Sequence, residues 1–180
     1  MAVELGLEMV LTAGVLRSAG DIEFLAGEYA AAERIFRRAC DALAREGDWG
    51  HFASFGPLLG EALLAQGRAD EAVEPVEAAA RRMLADDTDA QISLLRMRSK
   101  LAAHRGSLEE AETFARQAID RASRSDDPNF RGATLLDLAA LLELSGRAEE
   151  REAALERALA YYEQKGNVVM AERVRERLGA

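Results

Sequence analysis

Arg96, Lys100 and His104 stand four residues apart, a spacing that places all three on one face of a helix. Basic side chains in line form a strip able to hold a carboxylate or an acidic segment through charge-assisted hydrogen bonds. The strip stands out in a chain whose formal net charge is -9. The plainer reading is a solvated face neutralised by carboxylates such as Glu61. Other chemistry is thinly represented. The sequence holds no GxxxxGK[ST] phosphate loop, no HExxH, no paired CxxC and no GxSxG. The two histidines, His51 and His104, are far apart in the chain and no motif supplies further zinc ligands. His51 is expected at a helix start beside Trp49, and His104 on a solvated helix face. Cys40 is the only cysteine, so no intramolecular disulfide is available, and a small packing role is expected for it. These residues predict no enzyme activity, no cofactor and no metal site.

The elements that must position the strip are helices. Of the 180 residues, 49% are hydrophobic and only three are proline, which suits helix nearly throughout and a core of substantial size in one domain, residues 1–180. No alternating apolar run suggests a strand. The acidic balance argues against direct nucleic-acid binding, which needs a concentrated basic face. The first twenty residues carry Glu4, Glu8 and Arg17 and no basic leader, so neither a membrane span nor a signal peptide is expected, and a cytoplasmic location follows.

A period organises these helices. Gly27, Gly67, Gly106 and Gly146 are separated by 40, 39 and 40 residues. Seven residues before each stands Gly20, Gly60, Ser99 or Ala139, and twelve after each stands Ala39, Ala79, Ala118 or Ala158. Five after come Ala32, Ala72 and Ala111, with Arg151 in the last unit; nine after come Phe36, Val76, Ala115 and Leu155. Small residues at fixed offsets are what two closely crossing helices require. The spacing predicts four antiparallel helix pairs, at about 3–47, 48–86, 87–125 and 126–166, and a capping helix over 167–179.

Along the chain, packing reasons are expected for Gly14 and Gly20, with a bend near one of them. Pro57 predicts a kink or a late helix start, and Pro75 raises the same issue. Ser107 to Glu110 reads as a capping box, Asp127-Pro128 as an N-cap with proline at the first helical position, and Asn167 as the cap of Val168–Leu178. That helix is expected to cover the last pair with Val169, Met170, Val174 and Leu178. No such cover precedes Met1 to Leu11, which predicts an N-terminal face that met another repeat or self-associates.

The glycine, small-residue and alanine pattern resembles the tetratricopeptide repeat, whose usual unit is about 34 residues; each unit here is about six longer. More specifically, LLGEALLAQGRADEA and LLDLAALLELSGRAEEREAALERALAYYEQKGNVVMAERVRERL are similar to the C-terminal repeats of bacterial signalling proteins. Those proteins join such repeats to an NTPase module and to a class III nucleotide cyclase or a LuxR-type DNA-binding domain. The resemblance implies an all-α superhelix of helix pairs, and a scaffold or sensor arm that binds a peptide or partner domain. It also implies a concave face lined by the first helix of each pair, at Arg17, Asp21, Phe24, Glu61, Leu64, Arg96, Lys100, His104 and Leu144. Reversing the charge of Arg96 and Lys100 is expected to abolish partner capture without loss of stability. A purely structural or oligomerising role is the alternative.

Overall fold

The computed structural model describes the backbone of residues 2–179 and the side chains of residues 12–179. The described residues form nine helices and no strand. The chain divides into two compact units, Met1–Asp87 and Thr88–Ala180. The first holds α1 (Ala2–Leu25), α2 (Tyr29–Glu46), α3 (Trp49–Ala65) and α4 (Ala69–Ala80). The second holds α5 (Thr88–His104), α6 (Leu108–Ala122), α7 (Pro128–Leu144), α8 (Ala148–Lys165) and α9 (Val168–Leu178). Within each unit every helix packs on the next in sequence, and the two leading helices of successive pairs, α1 with α3 and α5 with α7, also touch. This is the arrangement of an α-α helical repeat.

The expected offsets mark the core of each pair. Ala39, Ala79, Ala118 and Ala158 are all buried, as are Ala32, Ala72, Ala111 and the bulkier Phe36, Val76 and Leu155. Opposite them the small residues let the leading helix approach. A Cβ on Gly20 would lie 2.2 Å from the Phe36 ring, and the Ser99 hydroxyl donates to the Ala111 carbonyl at 2.8 Å, which satisfies a buried polar group across the pair. Arg151, the exception at the fifth position, is half-buried and donates to the Arg177 carbonyl near the end of α9.

The turns inside the pairs are alike. Gly27, Gly67, Gly106 and Gly146 all take positive φ, between 69° and 84°, which a residue with a Cβ adopts only at a cost. In each, the next N–H reaches back five residues: Glu28 to Glu23, Arg68 to Leu63, Ser107 to Ala102 and Arg147 to Leu142, at 2.9 to 3.0 Å. This doubly bonded exit ties off the leading helix and starts its partner at once. It also overturns the expected capping box: Ser107 holds the N-cap position, but its hydroxyl makes no capping bond. Its backbone, like that of Glu28, Arg68 and Arg147 in the other three turns, is fixed by the glycine turn, and none of the four caps through its side chain. Between the pairs, side chains do the work. Asp48 accepts from the His51 N–H, Asp127 from the Asn129 N–H with Pro128 following, and Asn167 from the Met170 N–H.

Three further expectations are corrected. Of the kink or late start expected at Pro57, the late start is excluded: α3 opens at Trp49 and runs through Pro57, because the Asp48 cap fixes its beginning eight residues upstream. In α9 the buried residues are Ala171 and Val174, whereas Val169, in the first turn, is 58% exposed. Within the single chain Gly14 has no packing reason, since nothing lies within 4 Å of a Cβ built there. Gly56 was not singled out by the pattern, yet a Cβ on it would meet the Pro75 carbonyl oxygen at 2.5 Å and the Ala79 methyl at 2.6 Å.

These two glycines give opposite expectations. Gly14→Ala should stabilise by roughly 1 kcal/mol, the helix-interior difference between the residues. Gly56→Ala should destabilise despite the same gain, because overpacking against a backbone carbonyl that cannot rotate away costs about 1–3 kcal/mol. Thermal melting of the two variants checks the signs.

Candidate functional site

In the second unit, the contact of α5 with α7 brings the basic strip against a carboxylate. Arg96 Nε lies 2.6 Å from Asp137 Oδ2, and Lys100 Nζ lies 3.4 Å from Asp137 Oδ1. Asp137 is largely buried, its side chain 11% exposed, while both cations are more open. Charge-assisted bonds to a shielded carboxylate are stronger than exposed ones and costly to break from one side. Reversal of Arg96 and Lys100 would therefore set two new carboxylates beside Asp137, so the expectation of unchanged stability does not hold. Sequence reasoning missed Asp137, although a signal existed: it is the single charged residue in the run from Ala133 to Leu142, and such a residue needs a partner. His104, one turn beyond Lys100, is exposed on α5. Leu144 is 66% exposed at the end of α7, while Leu135, Leu138, Leu141 and Leu142 are buried in the core.

The first unit carries a different charge pattern at the corresponding positions. Arg17 pairs with Asp21 at 3.7 Å along α1. Burial pushes the Asp21 carboxyl above its ordinary value, Arg17 pulls it down and the Glu61 carboxylate on α3 pushes it up again. Phe24 is half-buried against Tyr29, with ring centroids 5.1 Å apart, and Leu64 is half-buried on α3. The nine residues expected on a binding face thus fall as five on α1 and α3 and four on α5 and α7.

A second polar feature had not been anticipated. Arg68, directly after the turn glycine of the second pair, contacts Glu33 of α2 at 2.6 Å and Glu71 of its own helix at 2.6 Å. Arg37 holds the other side of Glu33 at 2.9 Å. In the second unit Arg147 contacts Glu112 of α6 at 2.8 Å and Glu150 at 2.5 Å, with Arg116 on Glu112 at 2.6 Å. Each member of the second set stands 79 residues after its counterpart in the first. The clamp joins one pair to the next and belongs to the fold. Its signal in the sequence was the Gly-Arg-Ala-acid-Glu run at Gly67 to Glu71 and Gly146 to Glu150.

Other chemistry is modest. Trp49 packs edge-on against Phe52, and the Arg82 guanidinium lies 4.6 Å over the Trp49 ring, a cation–π contact. His51 Nδ1 lies 2.7 Å from Asp48 Oδ2 at the start of α3, where sequence placed it. Burial pushes the Cys40 thiol up to about 12, which keeps it protonated and inert. Among the described residues no group of three or more His, Cys, Asp or Glu is placed to hold a metal ion, and no helix is long and apolar enough to cross a membrane. No protein-family model and no curated protein matches the chain.

The clamps carry a pH signature. Hydrogen bonds from Arg68 and Arg147 hold Glu71 and Glu150 below the ordinary carboxylate value of 4.5. Arg116, then Arg147, does the same for Glu112. At Glu33 burial works upward, but bonds from Arg37, Gln66 and Arg68 outweigh it, so its value is also lowered. A lowered folded-state value gives stability that is present above the unfolded value and lost as pH falls through the folded one. The melting temperature should therefore decline below pH 4.5, and Arg68→Met with Arg147→Met should flatten that decline while lowering stability only modestly at neutral pH, as befits solvent-screened pairs. Equal slopes in parent and variant would remove the clamps from the explanation.

Proposed function

We propose that this chain is a protein-interaction module of the tetratricopeptide type. In this reading a peptide or partner domain binds along the leading helices, as the regulatory or sensor arm of a bacterial signalling or transcription-regulating protein. The observation that carries the reading is the side-by-side contact of α5 and α7, which sets the basic pair Arg96 and Lys100, held in place by Asp137, near the helix ends that present exposed His104 and Leu144. Rigid polar anchors beside open apolar side chains suit recognition of an extended acidic segment, where charge fixes register and an apolar contact adds affinity. The role of the chain is capture without chemistry. A structural, self-associating role is the second reading, favoured by the exposed apolar residues Val15 and Ile22 on α1.

An array of acidic and neutral peptides, probed with the full chain, tests the first reading. Acidic peptides should be retained, with binding that weakens as salt rises. His104→Glu with Leu144→Ser should abolish retention and leave melting unchanged, since both side chains are exposed. Retention indifferent to peptide charge and to this variant would count against the proposed face.

A further inference from the structure

The positions twelve and five residues before each turn glycine form a series in which one unit differs. In the later units they are Phe55 and Ala62, Leu94 and Leu101, Thr134 and Leu141, all at most 6% exposed. In the first unit they are Val15 and Ile22, which are 67% and 66% exposed. On α3 and α7 the covering element is the second helix of the preceding pair. Phe36 of α2 meets Phe55 edge-on with centroids 6.2 Å apart, and Leu141 shares a core cluster with Ala111 and Ala115 of α6. The repeat therefore builds this face for burial under a helix, and on α1 no described side chain buries it.

We propose that the face is covered by α1 of a second copy of this chain, packed antiparallel to form a two-fold dimer through Val15, Ser18 and Ile22. Their three- and four-residue spacing is that of a helix-pairing seam. Its flanks include Gly14 and Ala19, small enough for close approach. An antiparallel alignment centred between Ser18 and Ala19 sets Val15 opposite Ile22 of the partner and brings Arg17 within one residue's rise of the partner's Asp21 on the same flank, so that opposite charges meet; a parallel alignment would set these flanks on opposite sides of the seam and lose the pairing. The last helix is a poorer partner: α8 is already covered by Ala171 and Val174 of α9, and although Val168 and Val169 are open in its first turn, the rest of α9 carries exposed Glu172, Arg173 and Glu176. Head-to-tail stacking would bury those charges and leave an open chain of subunits, whereas a self-complementary face closes after two. The inference is independent of peptide binding on the other leading helices.

Sedimentation of the full chain over the micromolar range should show a dimer. Val15→Glu with Ile22→Glu should raise the dissociation constant more than about tenfold, because each copy would place two carboxylates in an apolar seam. Helical content should be unchanged, since both side chains are two-thirds exposed in the single chain. In a Cys40→Ala background, Ser18→Cys should give a disulfide-linked pair on mild oxidation, suppressed by the two glutamates. A parent chain that is monomeric throughout this range overturns the proposal, and so does a dimer insensitive to the glutamates.

Discussion

The fold depends on how closely the two helices of each pair can approach. Each leading helix has Gly20, Gly60, Ser99 or Ala139 at the crossing, and each following helix answers with alanines that are buried without exception at the twelfth position. At such separations the gain comes from many dispersion contacts between backbones and methyl groups, with little contribution from large side chains. This explains how a chain with only 6% aromatic residues packs four pairs. It also explains why the few large buried groups sit beside glycines. The Phe36 ring fills the space at Gly20, and the Tyr162 ring lies 2.8 Å from where a Cβ of Gly132 would stand.

Close crossing demands a fixed turn, and the glycine exits supply it. Because each exit uses backbone bonds alone, the side chain of the N-cap residue before the following helix is released from capping duty. In two of the four units that residue is an arginine, which instead reaches the preceding pair. The ionic clamps are thus a by-product of how the turns are built. They recur at twice the basic period, one in each compact unit.

Much of this was legible in the sequence because it rests on local offsets. Helix number and pairing follow from the four glycines, and the Asp127 and Asn167 caps from residue type next to a helix start. What escaped depends on partners distant in sequence. Asp137 could be recognised as a lone charge in an apolar run, but its pairing with Arg96 and Lys100 needs the contact of α5 with α7. Gly56 looked ordinary because the group it avoids, the Pro75 carbonyl, belongs to the other helix of the pair. The Ser107 capping box failed for a related reason: residue types suited it, but the preceding glycine had already committed the backbone.

The position of Trp49 has a consequence for observing the molecule. It is the only tryptophan in the chain, and its ring lies under Arg82 within the first compact unit. Its emission therefore senses the opening of residues 1–87 and is silent about residues 88–180, while circular dichroism weighs the helices of both. A chain that melts as one cooperative body gives a single midpoint by either probe; two halves that open separately give an optical midpoint displaced from the dichroic one. The protein carries its own reporter for whether the helices of its two compact units are released together or in two instalments.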